Sequence, residues 1–334
     1  MIILTNFLEE KSDEGGLNVA KNLTMGLKKR GATVVTYEKK TDHGDMHLRL
    51  NKFFLNYSLF SLLCTRREPV LYLPATSNSG ASIFRTWILS LSGVPVYALY
   101  VLMHAMGTLD RMLLKLSRAR VIVLSAESYR AFREILGDRV TYLKTGVDLN
   151  RFVPVTEGKK KELRRKYGFP EQAKIVLHVG HLKEGRNIRR MLQISPDYHL
   201  CLVTSTWSKK REDLKLRADL EACAHVTIVD RFIPRIEELY QLADVYFFPV
   251  IGSENCIDVP LSVLEAAACN LPVVTTAYGE LREFVGKEGF FFLDSFDCGY
   301  LNERLGQAAA KSYDTRASVY EYDWERAVSV LSML

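Results

Sequence analysis

The chain has 334 residues, 48% hydrophobic and 25% charged, more than one ordinary core requires and enough for two packed domains. Its 20 glycines and ten prolines are spread without a low-complexity tract, which excludes a disordered or fibrous protein, and its six cysteines form no C-x-x-C pair, which argues against a zinc site and a secreted disulfide framework. The net charge of +6 is uneven: residues 1–152 carry 21 Lys and Arg against 13 Asp and Glu, and the remainder 24 against 26.

The N-terminus, MIILTNFLEE, has neither the basic lead nor the apolar length of a signal peptide and is expected to be a buried strand, and the scattered cysteines lead us to expect a reducing, cytoplasmic setting. Short apolar runs then alternate with longer amphipathic ones. Strands are predicted at Ile2–Thr5, Thr33–Tyr37, Val70–Leu73, Val96–Leu102, Val121–Leu124 and Val140–Lys144, with helices between them, the first over Leu17–Lys29. The uncharged stretch Thr86–Leu109 has the length of a membrane span, but Gly93 and Pro95 divide it into a helical half, Ile83–Leu91, and a strand. Past Pro154 a charged helical connector, Thr156–Lys166, leads to a second series of strands at Lys174–Val179, Leu200–Thr204, Val226–Val229, Val245–Phe248 and Val273–Thr275, with helices at Arg235–Leu242 and Leu261–Cys269. This alternation predicts two doubly wound α/β domains in tandem, each with a parallel sheet.

In such sheets ligands sit beyond the carboxyl ends of the strands, so the residues that follow each strand are the candidates. Gly15 and Gly16, before the first helix, admit a phosphate or sugar close to the backbone or simply make a turn. His104 follows its strand in the small-residue loop HAMG, where it suits contact with a substrate oxygen or a buried structural place. Gly180-His181-Leu182-Lys183-Glu184-Gly185-Arg186 at the first strand end of the second half forms a candidate diphosphate cradle; a solvated charged face is the alternative, and no GxxxxGK[ST] loop occurs. In Pro249–Val274, Glu265 interrupts the apolar helix LSVLEAAAC and needs a partner, either ribose hydroxyls or an internal salt bridge.

These motifs taken together resemble the retaining glycosyltransferases of family 4 (glycosyl transferases group 1), whose fold is GT-B, two Rossmann-like domains. The resemblance runs through the glycine pair and KKRGATVVTYE, His104, VIVLSAESYRAF, TGVDLNRFVP, VGHLKEGRNI, ELYQLADVYFFPV, PLSVLEAAACNLPVV, TTAYGELREFV and YDWERA. It implies an acceptor-side domain over 1–151, a donor domain over 152–312 and a terminal helix in 313–334 that crosses back to the first domain. It also implies roles: Glu265 on the nucleotide ribose, Gly15 and Gly16 near the donor phosphates, His104 on the transferred sugar, and Arg186 on the departing diphosphate. Backbone groups at Phe232 and Ile233 would hold the base, and Val259, Pro260, Leu261 and Ser262 the phosphates and sugar, with Gly180 in the glycine loop.

Three departures from the family pattern stand out. The first family glutamate falls on Ile257, with Asp258 and Glu254 as the acids that could substitute. His181 stands where the family has arginine, with Arg186 for its lysine, and Asn270 stands for a glycine, a change a left-handed residue tolerates. The implied reaction moves a hexose from a UDP- or GDP-linked donor to a glycan or polyprenyl-linked acceptor hydroxyl with retention, without a metal or other cofactor, in cell-envelope polysaccharide synthesis. A catalytically silent sugar-nucleotide-binding partner and a nucleotide-sugar epimerase remain alternatives. The basic first half is expected to contact an anionic membrane, at the inner face of the plasma membrane, through Arg66 and Arg67, and no nucleic-acid partner is expected.

Overall fold

A computed structural model describes residues 1–6, 15–37, 41–74, 78–204, 213–252 and 256–334. The described chain divides into two units: Met1–Thr145 with Ile257–Val259 and Trp324–Leu334, and Gly146–Cys256 with Pro260–Asp323.

The first unit is built on seven parallel strands. In chain order they are β1 (Ile2–Thr5), β2 (Thr33–Thr36), β3 (Met46–His47), β4 (Val70–Leu73), β5 (Val96–Tyr100), β6 (Arg120–Val123) and β7 (Val140–Tyr142). Their helices are α1 (Gly15–Lys29), α2 (Tyr57–Arg66), α3 (Gly80–Ser90), α4 (Thr108–Leu116) and α5 (Ala126–Leu136). Sheet order is β3-β2-β1-β4-β5-β6-β7, so the winding reverses between β1 and β4. The strands are apolar on both faces, as a parallel sheet covered by helices requires. One face packs against Leu59 and Leu63 of α2, Ile83, Ile88 and Leu89 of α3, Leu114 of α4 and Phe132 of α5, so these four helices lie on the same side. A short helix, Trp324–Leu331, packs on α1, where a Cβ on Gly26 would stand 2.4 Å from Val328 Cγ2; only a glycine lets the helices approach so closely.

The second unit begins its helices with α6 (Glu157–Tyr167). Its strands are β8 (Lys174–Val179), β9 (Tyr198–Val203), β10 (Val226–Val229), β11 (Val245–Phe248), β12 (Val273–Thr275) and β13 (Phe290–Phe292). The remaining helices are α7 (Leu214–Glu221), α8 (Glu237–Leu242), α9 (Leu261–Ala268) and α10 (Cys298–Ala309); the helix on α1 is α11. Sheet order is β10-β9-β8-β11-β12-β13, all pairs parallel, and the winding reverses between β8 and β11. The α/β class and the two doubly wound sheets are as the sequence predicts.

The structure departs from the sequence reading in three places. The edge strands β3 and β13 were not predicted. The strand predicted over Val96–Leu102 ends at Tyr100, and the chain after the candidate diphosphate cradle forms no α-helix but a pair of 3₁₀ turns, Glu184–Arg186 and Ile188–Gln193, separated by Asn187 at φ 60°. A left-handed residue in that position stops an α-helix from propagating. The uncharged stretch of Thr86–Leu109 divides at Gly93 (φ +81°) into α3 and β5, and among the described residues no helix is long and apolar enough to cross a membrane. Asn270 is left-handed, at φ 59°, after the end of α9.

Candidate functional site

In each unit the loops at the reversal of winding are where backbone groups and side chains converge beyond the strand ends. In the first unit α1 opens at Gly15 and Gly16, after β1. A Cβ on Gly15 would stand 3.1 Å from Ile257 Cδ1, so the isoleucine that replaces the expected acid occupies the space beside this glycine. His104 is exposed, and its backbone is clamped by buried Asn78: its N–H donates to Asn78 Oδ1 at 2.6 Å and its carbonyl accepts from Asn78 Nδ2 at 3.0 Å. The clamp fixes the loop and leaves the imidazole outward.

Asp258 is buried. Its Oδ2 accepts from Ser125 Oγ at 3.1 Å and from Ser128 Oγ, and the backbone of Met103 also bonds its carboxyl. Ser125 is itself the N-cap of α5, accepting from the Ser128 N–H. Burial raises the Asp258 pKa above the usual carboxylate range, and the two hydroxyls only partly offset this. Asp258, named from sequence as an acid that could substitute for the family glutamate, is a side chain enclosed by hydrogen-bond donors. Glu254, the other acid named for that place, lies outside the described residues.

In the second unit Arg186 is buried and its guanidinium lies along the backbone of Gly180: a Cβ there would stand 2.6 Å from Arg186 Nη1 and 3.0 Å from His178 Nε2. Gly180 is therefore the residue that admits the cation to the strand end. His181 sits beside it, its carbonyl accepting from the Lys183 N–H at 3.1 Å, and Asn187 Nδ2 reaches the Pro249 carbonyl at 3.3 Å, tying the loop after β8 to the loop after β11.

His178 was not singled out from sequence. Fully buried, it stacks between Tyr246 and Phe248, and Nδ1 is 2.9 Å from the Phe247 carbonyl. Burial drives its pKa down to about 4, with the Arg186 charge adding. The neutral ring must carry its proton on Nδ1 to donate to that carbonyl, which leaves Nε2 a bare acceptor with no partner among the described residues.

Glu265 is half-buried on α9. Its Oε2 accepts from the Tyr240 hydroxyl at 2.7 Å, and no ion pair holds it among the described residues, so the salt bridge considered from sequence is replaced by a phenol. Burial raises its pKa, while the Tyr240 hydrogen bond and the Arg151 charge pull the other way. Tyr246 links this carboxylate to the glycine loop: its hydroxyl donates to the Val179 carbonyl at 3.3 Å, meets the Ser262 hydroxyl, and lies within electrostatic range of both Glu265 and Arg186. The structure thus brings together Gly180, Arg186, Ser262 and Glu265.

Pro260 precedes α9 without a side-chain cap, so the N–H groups of Leu261 and Ser262 have no acceptor within the helix. Buried Val259 groups with the first unit. Phe232 is exposed and Ile233 half-buried in the turn after β10. Arg151 fastens that turn, donating to the Pro234 carbonyl at 2.9 Å and pairing with Glu237 at 2.8 Å. It lies in the NRFVP motif, where no role was assigned to it. Among the described residues no three His, Cys, Asp or Glu side chains converge as a metal site.

Residues 173–307 match the family model for glycosyl transferases group 1. A GDP-mannose-dependent monoacylated alpha-(1-6)-phosphatidylinositol monomannoside mannosyltransferase of Corynebacterium glutamicum is 28% identical over 229 residues, 60% of this chain and 58% of that protein. The chain spans about half the length of the curated relatives it matches. Among solved structures, Anabaena Alr3699/HepE in complex with UDP aligns with TM-score 0.75 at 13% identity, over 99% of this chain and 98% of that one. A glycosyltransferase from Rickettsia africae aligns with TM-score 0.69 at 13% identity, over 99% and 91%. Residues 173–307 are thus similar to the glycosyl transferases group 1, and the two Rossmann-like units share the GT-B fold of the solved structures.

Proposed function

We propose that the chain is a retaining hexosyltransferase that uses a UDP- or GDP-linked donor and a glycan or polyprenyl-linked acceptor, without a metal. The observation that carries this reading is the second-unit cluster in which Glu265, with one hydrogen bond to Tyr240, stands one tyrosine away from the Arg186 guanidinium. A carboxylate has about four acceptor sites, so Glu265 retains capacity for both hydroxyls of a ribose. Arg186 and the open N–H groups at the start of α9 supply the positive charge that a departing diphosphate requires. The choice of nucleotides is supported by the GDP-mannose dependence in the name of the Corynebacterium relative and the UDP bound to HepE.

In the proposed reaction the bond between the anomeric carbon and the diphosphate oxygen breaks on the face where the acceptor oxygen attacks. The acceptor proton passes to the leaving diphosphate. His104, outward on a fixed loop, contacts the sugar, Gly15 and Gly16 approach the phosphates, and the Phe232–Ile233 turn held by Arg151 takes the base. Residues 1–151 would serve the acceptor and 152–312 the donor, with the terminal helix returning to the first. Asp258, buried and with three of its about four acceptor sites engaged by Ser125, Ser128 and Met103, holds its loop in this reading.

Ile257 against Gly15 favours a second reading, a sugar-nucleotide binder without transfer. The test is a calorimetric titration of UDP and GDP in EDTA against wild type and Glu265→Ala, followed by assay of nucleoside diphosphate release with an acceptor present. Binding lost in Glu265→Ala together with release in wild type supports transfer. Binding without release in any acceptor mixture favours the silent binder, and binding that survives the substitution removes Glu265 from the site.

A further inference from the structure

We infer that His178 is a positioning residue for Arg186: its bare Nε2 accepts a guanidinium N–H of Arg186 when a diphosphate occupies the site, and so sets which edge of the guanidinium faces the anion. This rests on the reading of Arg186 as the cation of the donor site. The imidazole is built to hold one orientation. His178 is next to last in β8 and fully buried, with the ring planes of Tyr246 and Phe248 inclined to its own by only 9° and 23°. Its Nδ1, 2.9 Å from the Phe247 carbonyl, fixes the ring about its own axis. That hydrogen bond needs a proton on Nδ1, and burial holds the pKa down to about 4, so at neutral pH the ring is uncharged and Nε2 is an acceptor. Turning the ring to satisfy Nε2 elsewhere would break both the hydrogen bond and the stack.

A buried acceptor without a donor costs folding free energy, and one that persists in a packed sheet calls for a use. The donors around Nε2 narrow that use. The Gly180 N–H is spent on the Val203 carbonyl at 2.9 Å, and the Tyr246 hydroxyl donates to the Val179 carbonyl at 3.3 Å. Arg186 is placed differently. Its Nη1 and the His178 Nε2 border one point, the place of the absent Gly180 Cβ, at 2.6 and 3.0 Å. No hydrogen bond satisfies Nε2 in the structure, so the guanidinium must turn toward the ring to make one.

An arginine suits two partners at once. Its guanidinium carries five N–H donors in a fixed plane; a diphosphate takes one edge, and the donors on the other edge, buried beside the strand end, need acceptors of their own.

A carboxylate in the place of His178 would supply an acceptor but would also neutralise the cation and weaken its hold on the anion. A neutral imidazole accepts without that penalty. Binding of the diphosphate and pairing of Nε2 then occur together, and the acceptor that burdens the free protein is satisfied in the complex.

The test titrates the full chain by calorimetry with inorganic pyrophosphate, UDP and GDP. His178→Phe keeps a flat ring and removes the acceptor; it is expected to bind pyrophosphate and the preferred nucleotide about tenfold more weakly, with a thermal midpoint that holds or rises. His178→Gln, whose amide oxygen stands as many bonds from the backbone as Nε2 does, is expected to recover most of the loss, which a role in packing alone would not produce. In a double-mutant cycle with Arg186→Met the effect of His178→Phe is expected to vanish. Nitrogen NMR of the histidines should show the Nε2 resonance of His178 moving upfield with pyrophosphate in wild type and staying in place in Arg186→Met. The inference is overturned if His178→Phe binds as wild type does, if His178→Gln recovers nothing, if the two substitutions are additive, or if wild type binds none of the three ligands. Binding of pyrophosphate with these couplings, but of neither UDP nor GDP, would sink the donor reading and leave the positioning role standing.

Discussion

Asp258 and Glu265 are seven residues apart in sequence, both are carboxylates withdrawn from bulk water, and burial raises the pKa of both, yet their surroundings differ. Asp258 groups with the first unit and is enclosed by two serine hydroxyls and a backbone N–H. Glu265 belongs to the second unit and has one phenol for company, with a guanidinium at electrostatic range. A buried acid with most of its acceptor sites engaged is a fastener, and one with several to spare is a receptor for hydroxyls. The number of donors around an acid, more than its burial or pKa, separates the two uses.

The comparison is broken most directly at Asp258. Asp258→Ala leaves two serine hydroxyls and the Met103 N–H without their acceptor, and we expect a loss of about 3 kcal/mol in stability by chemical denaturation with nucleotide affinity unchanged. A weakened affinity on an intact fold would instead make Asp258 a ligand-binding acid. At Glu265 the pattern should invert. Glu265→Ala is expected to cost about 2 kcal/mol of nucleotide binding, roughly 30-fold in Kd by calorimetry, while the thermal midpoint without ligand holds or rises, since a half-buried carboxylate with one partner is a burden on the free protein. Smaller again is Tyr240→Phe, which removes the one phenol: about 1 kcal/mol, shared between stability and affinity.

The two sheets were legible because apolar runs bounded by turn residues mark parallel strands, and β1, β8, β10, β11 and β12 begin and end where the residues change character. The edge strands escaped for opposite reasons. Two residues of β3 are too few to show a pattern, and Phe290-Phe291-Phe292 of β13 has no alternation to tell a strand from a buried turn. Glu265 announced itself as a charge in an apolar helix, but its partner did not, because Tyr240 reaches it only when α8 is laid beside α9. The partners of Asp258 were equally hidden: Ser125 and Ser128 lie more than a hundred residues upstream, in a motif that was noted without a role. His178 gave no sign at all, since a histidine within KIVLHV reads as strand filling until its Nε2 is seen beside Gly180 and Arg186.

The smallest expected effect is also the most diagnostic, because it asks the two acids to titrate differently. A ribose diol donates two hydrogen bonds, and only the carboxylate of Glu265 can accept both. Burial raises the Glu265 pKa, so at the acid end of the titration the free protein holds a proton that the nucleotide complex must release. Affinity should therefore fall as the pH falls through that raised pKa, starting above the ordinary carboxylate range. The Tyr240 hydrogen bond lowers the pKa, so Tyr240→Phe should move the fall to higher pH. In the absence of nucleotide the sign reverses: a raised pKa means that the folded protein binds the proton more tightly than the unfolded chain, so this group opposes folding at neutral pH and does so less as the pH drops. Ser128→Ala raises the Asp258 pKa by the same logic but should leave the pH profile of binding where it was. A profile that shifts in Ser128→Ala and stays fixed in Tyr240→Phe would exchange the roles of the two acids.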